Sequence, residues 1–199
     1  MKSSLAAICL TLAISMGNIS AAWSADFQKG LTAFLSGDYA TALREWKPLA
    51  EQGNASAQKN MGVLYNNGKG VPQDYKTAVK WYRLAAEQGD APAQSNLGVM
   101  YDKGRGVTQD DKTAVKWYAL AAEQGNADAQ VNLGFMYYKG HGVILDNAYA
   151  HMWWDIAASN GDEGAIKNRD IVAKRMTPAN ISAAQKFARE CVRKKYKDC

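Results

Sequence analysis

The strongest candidate for chemistry in this chain is Ser56-Ala57-Gln58-Lys59, a serine three residues ahead of a lysine. In serine acyl-transfer enzymes that spacing sets the amine one helical turn from the hydroxyl it activates. The supporting Ser-Asp-Asn and Lys-Thr-Gly strings are absent, and Lys76-Thr77-Ala78 and Lys112-Thr113-Ala114 only approach the second. Ser56 also aligns with Pro92 and Asp128 in an internal repeat, which makes it a variable surface position near a helix start. The two histidines, His141 and His151, have no third ligand at metal spacing. Asp110-Asp111 reads as a helix cap and its neighbour rather than as a catalytic carboxylate pair. The loops Gly68-Lys69-Gly70, Gly104-Arg105-Gly106 and Gly140-His141-Gly142 end helices, so carbonyls rather than amides are free there and no phosphate cradle is expected. No catalytic, cofactor-binding or metal-binding residue is assigned, and the chain is expected to be no enzyme.

The elements that carry these residues come from a 36-residue repeat. Residues 54–89 and 90–125 are identical at 25 of 36 positions, and 126–161 is a looser copy in register. A period of this size predicts units that bury their apolar faces only against their neighbours. In each unit Asn54, Asp90 or Asn126 caps a first helix, with Ala57, Met61, Leu64 and Tyr65 on one face in the first copy. Asp74, Asp110 and Asp146 cap a second helix, with Ala78, Trp81 and Ala85 and their counterparts on its expected buried side. Gly62, Gly98 and Gly134 lie inside the first helix at a cost of about 1 kcal/mol each, which predicts close helix approach. Asp38-Tyr39 through Gly53 keeps the second-helix pattern, including Ala42, and the helix before it, Phe27 to Leu35, lacks the glycine-rich loop and turns through Ser36-Gly37. Thr177-Pro178 opens a last helix running to about Lys195, with Ile181, Ala184, Ala188 and Cys191 on its apolar side. The expected fold is all-α: a short α/α solenoid, a right-handed superhelix of antiparallel helix pairs, with an N-terminal helical half-repeat and C-terminal capping helices.

Residues 1–25 read as an export signal, with Lys2, an apolar run from Leu5 to Met16, and cleavage after Ala22 or Ala25. The domains then run 26–53 (an N-terminal helix pair), 54–89, 90–125 and 126–161 (repeats), and 162–199 (basic capping helices). An exported protein is expected, in the periplasm or secreted. Residues 167–199 hold ten Lys or Arg and three Asp or Glu, so the pI of about 9.0 belongs to the tail. Cys191 and Cys199 are the disulfide candidates in an oxidising compartment. Eight residues of continuous helix span about 12 Å, so a bond requires the helix to end near Lys195 and the tail to fold back. Two free or intermolecular thiols are the alternative.

Ala93, Leu97, Gly98, Tyr101, Gly104, Gly106, Val107, Asp110, Ala114, Trp117, Tyr118, Ala121, Ala122, Gln124 and Gly125 closely resemble the Sel-one-like repeat family, a relative of tetratricopeptide repeats. Three units match, over 108 of 199 residues. The tail, from Arg169-Asp170 through Met176-Thr177-Pro178 to Arg189-Glu190-Cys191, resembles that of exported bacterial members. The resemblance implies a solenoid that scaffolds or regulates other proteins, often in the bacterial envelope, and implies no reaction. Cysteine-rich exported members carry a disulfide in each repeat and some are linked to β-lactams; this chain departs from them, with no cysteine in any repeat.

The expected function is a non-enzymatic adaptor or regulator that binds a protein or peptide in the groove of the array, as a monomer, without nucleic acid or cofactor. Tyr82, Tyr118 and Trp154 are expected to face the inner groove. Three variable positions are the other contact candidates: Asn66/Asp102/Tyr138, Asn67/Lys103/Lys139 and Arg83/Ala119/Asp155. The alternative is a cell-wall glycan or anionic lipid held weakly by the basic tail through Arg193, Lys194, Lys195 and Lys197. A β-lactam- or peptidoglycan-directed enzyme is a further alternative, by family analogy. Membrane contact is otherwise not expected once the signal is removed.

Overall fold

The computed structural model describes residues 26–197 and 199; the expected export signal lies outside the described residues. The described chain is helical throughout its regular structure: α1 (residues 26–35), α2 (Tyr39–Glu51), α3 (Ala55–Asn67), α4 (Tyr75–Glu87), α5 (Ala91–Lys103), α6 (Asp111–Ala122), α7 (Ala127–Lys139), α8 (Asn147–Ser159), α9 (Glu163–Ala173) and α10 (Pro178–Arg193). From α2 to α9 each helix packs on the next, whereas α10 returns to α8.

Local chemistry sets these boundaries. Asn54, Asp90, Asn126 and Asp162 each accept the amide three residues on, at 2.6–2.9 Å, and so start the first helix of a unit. Asp74, Asp110 and Asp146 start the second helix by accepting two amides each. Gly104 ends α5 in the left-handed region at φ 63°. Gly106, at φ 72°, lies so close to the Tyr75 backbone that a Cβ would strike it. The second glycine of the loop thus lets one unit press on the helix start of the unit before it.

The aromatic register differs from the expectation. Tyr82, Tyr118 and Trp154 are fully buried, and Tyr118 is 1% exposed. They are core residues and not groove contacts, because each ring lies over the helix glycine of its own unit. A Cβ on Gly98 would sit 2.7 Å from the Tyr118 ring, and one on Gly62 2.5 Å from Tyr82. Trp81 and Trp117, expected in the core, are only half-buried. Trp46 over Gly30 completes the same ladder in α1–α2, despite the shorter connection there. The two outer rungs add a hydrogen bond: Trp46 Nε1 donates to the Phe27 carbonyl and Trp154 Nε1 to that of Val131, in each case three residues before the glycine. The pair α1–α2 is therefore packed as a unit in its own right.

A second, buried polar ladder runs through the units. Gln58, Gln94 and Gln130 donate to the carbonyls of Ala50, Ala86 and Ala122. Gln88 and Gln124 then donate to the Oε1 of Gln58 and Gln94, each at 2.7 Å. In the third unit Asn160 stands where Gln88 and Gln124 stood, one methylene short, and Gln130 Oε1 is left buried without a partner. Asn160→Gln should therefore stabilise the protein by about 1 kcal/mol. A urea titration would read this as a higher midpoint with an unchanged slope.

At the C-terminus, Ala184, Ala188 and Cys191 of α10 are buried, and the latter two join the core formed by α6, α7 and α8. Trp153 and Ile156 are sealed there, while their counterparts Trp117 and Leu120 remain half-buried and exposed. The helix ends at Arg193, Lys195 and Tyr196 adopt positive φ, and the chain turns back to join Cys199 to Cys191 with Cα atoms 5.5 Å apart. Tyr196 lies over Gly125 at the end of α6.

Candidate functional site

The first helices of successive units line a groove. One cavity of about 320 Å³ is bounded by Leu31 and Phe34 of α1, Lys59, Asn60 and Val63 of α3, Ser95 and Asn96 of α5, and Asp128 of α7. A second, of about 230 Å³, continues it with Asn96, Val99, Asp128, Val131 and Asn132, and reaches Asp162. Shared residues join the two, so the groove crosses every unit of the array.

Asn60, Asn96 and Asn132 recur along its floor at the repeat period. Asparagine inside a helix costs up to about 0.7 kcal/mol against alanine. None of these three carboxamides makes a hydrogen bond within the described residues, and none caps a helix. Each is half-buried and open to the groove. A carboxamide offers a donor and an acceptor together. The row thus presents three paired donor–acceptor groups, flanked by Val63 and Val99, to whatever occupies the groove. Lys59 lies towards one end, with Asp128 and Asp162 towards the other, so the groove is polarised along its length.

The residues singled out from the sequence lie elsewhere. Asn66, Asp102 and Tyr138 sit at the helix ends, as do Asn67, Lys103 and Lys139, and none borders the two groove cavities. Asn66 donates to Asn67 at 2.9 Å and Lys103 pairs with Asp102 at 2.8 Å. The Tyr138 ring carries both Lys139 and Arg175, about 5 Å from its centroid. Arg83 donates to the Tyr101 hydroxyl at 2.9 Å, and Asp155 pairs with Arg169 at 3.1 Å, which ties α8 to α9. Ser56 is exposed at the start of α3 and Lys59 faces the groove. The asparagine row is constant from unit to unit, so variation between repeats does not mark it. Its signal was a polar residue kept in mid-helix in all three copies.

Ionisable groups in the array serve the helices. The Thr77 hydroxyl and amide hold the Asp74 carboxyl below the usual carboxylate range, and Thr113 does the same for Asp110. Caps of this kind help at pH values above that range and fail as pH falls through their own lowered pKa. His151 is buried on α8 with Nδ1 unpartnered among the described residues; burial lowers its pKa, Arg169 acts in the same sense, and the carboxylates of Asp155 and Asp170 oppose it. The unfolded chain then binds a proton more readily, so stability is lost as pH drops below about 6.5. His151→Val, the residue type of Val79 and Val115 at this position, should flatten the stability profile between pH 7 and 5. It should also add about 1 kcal/mol at pH 5, checked by urea denaturation at both values.

A family model described as Sel1 repeat matches residues 55–90, 91–126 and 127–162. A Sel1 repeat protein from Oxalobacter formigenes is similar in structure, with a TM-score of 0.70 and 33% identity, over 83% of this chain and 70% of that one. A protective antigen present in uropathogenic Escherichia coli strains, described as displaying an SLR fold, is similar with a TM-score of 0.62 and 30% identity. That match covers 87% of this chain but 46% of the antigen, so the chain spans about half of its length. No curated protein matches the chain.

Proposed function

Since this chain belongs to the Sel1 repeat family, whose members are typically non-catalytic protein–protein interaction scaffolds, we propose that it is an adaptor that holds an extended segment of another protein in the groove of α1, α3, α5 and α7. The observation that carries this reading is the row of Asn60, Asn96 and Asn132, unpartnered among the described residues and spaced by one unit each. An extended peptide has free backbone amides and carbonyls, and carboxamides satisfy both. Val63 and Val99 offer apolar contact to its side chains, and the variation between Lys59, Ser95 and Val131 supplies specificity.

The export signal read in residues 1–25 supports work outside the cytoplasm, in the cell envelope. The bound Cys191–Cys199 pair is compatible with an oxidising compartment. The adaptor reading assigns no catalytic role to Ser56.

The test is an affinity capture from the envelope fraction at low and high salt, with the wild-type chain and Asn96→Ala as parallel baits. A discrete protein retained at high salt by the wild type, and weakened about fivefold by Asn96→Ala, is the expected result. Equal capture by both baits would remove the asparagine row from the mechanism.

A further inference from the structure

The third unit departs from the other two at one edge. Ile144 and Leu145 stand where the earlier units have Pro72-Gln73 and Thr108-Gln109, and Tyr149 stands where they have Thr77 and Thr113. Met152 replaces Lys80 and Lys116 for a plain reason, since α10 covers it. Tyr149 stacks one face on Tyr137, and Ile144 and Leu145 are left open among the described residues. Ile144 is 90% exposed and Leu145 57%, Tyr149 is exposed, and Phe187 of α10, which lines a cavity with Tyr149, is 55% exposed. Tyr149, Met152, Phe187, Lys194 and the disulfide line one cavity of about 350 Å³, with Asp146 and Glu190 as its acids. Lys195 and Lys197 follow in the turn that leads to Cys199.

We propose that this edge is a second binding surface, whose occupant is the anionic face of a lipid bilayer. Apolar side chains at the tip of a loop, aromatic rings behind them and lysines around them are the components of an interfacial membrane contact. Ile144 and Leu145 enter the headgroup region, Tyr149 and Phe187 lie at its boundary, and Lys194, Lys195 and Lys197 meet anionic headgroups. The charge complementarity comes from Lys194 in the cavity wall and from Lys195 and Lys197 in the adjoining turn. The contact is peripheral: no helix among the described residues is long and apolar enough to cross a membrane. It is also separate from the groove, which has none of these residues in its walls.

The test places an environment-sensitive fluorophore at Ile144→Cys in the full chain with Cys9→Ser, labelled without reductant so that Cys191–Cys199 stays bonded. Thr108→Cys, the matching position of the second unit, carries the same label as control. Vesicles of phosphatidylcholine with 30% phosphatidylglycerol should blue-shift the Ile144→Cys label and raise its emission severalfold. The control should stay unchanged, and 0.5 M salt should reduce the effect. Vesicles of phosphatidylcholine alone should give little response. No shift on anionic vesicles would overturn the proposal and leave the edge to a protein partner. Equal shifts at both positions, or equal shifts on both vesicle types, would overturn it as well.

Discussion

Truncating Tyr118 to alanine is expected to lower stability by about 4 kcal/mol, the cost of emptying a buried aromatic site. For a chain of this size that corresponds to a fall in Tm of roughly 10 °C. The ring is 1% exposed and lies over Gly98, in the middle of a four-rung ladder of glycine and aromatic pairs. A groove contact at this position would cost almost nothing to remove, so thermal unfolding separates the two roles. The same ladder predicts coupling. Gly98→Ala alone forces a Cβ to 2.7 Å from the Tyr118 ring and should cost about 2 kcal/mol despite the better helix propensity of alanine. With Tyr118 already truncated, the added methyl has room and should become neutral or stabilising. A double-mutant cycle by urea denaturation would show this as an interaction energy of more than about 1 kcal/mol.

The second large effect concerns binding. Changing Asn60, Asn96 and Asn132 together to alanine removes three hydrogen-bonding pairs from the groove, at about 1 kcal/mol each, or roughly 100-fold in Kd. The same change should raise stability, because each asparagine sits in mid-helix and is a poorer helix former than alanine by about 0.5 kcal/mol. Lost binding with a higher Tm is the signature of residues retained for a partner rather than for the fold. If the carboxamides were structural, binding and Tm would fall together. Isothermal titration against the captured partner, with thermal unfolding of the same samples, reads both quantities.

Much of the fold was legible because a repeat states its helix boundaries several times. Asp90, Gly104, Gly106 and Asp110 each recur at the period, and each has a local chemical reason to cap or turn the chain. The aromatic register was not legible in the same way. Trp117 and Tyr118 are adjacent, both aromatic and both repeated, and a helix turns them about 100° apart. Periodicity alone does not say which faces inward. The deciding partner is Gly98, on another helix, whose bare Cα leaves the space that the Tyr118 ring fills. The Gln58–Gln88 and Gln94–Gln124 pairs were invisible for a related reason: buried amides look like surface residues until their partners are known. The return of α10 to α8, rather than to α9, depends on a small-residue face meeting Trp153 and Ile156 and on the turn at Lys195 and Tyr196. The groove follows from the repeat, but its asparagine floor is constant between units, and the positions that vary most in chemistry, such as Asn66/Asp102/Tyr138, lie at the helix ends.

The most direct measurement is site-specific photo-crosslinking in the native envelope, with a photoreactive residue at Val63 or Val99 in the groove and at Glu87 or Leu120 outside it. Groove occupancy predicts adducts to one protein from Val63 and Val99, none from Glu87 or Leu120, and loss of those adducts in the triple asparagine variant. Adducts from the outer positions alone, or groove adducts that persist without the three asparagines, would contradict it.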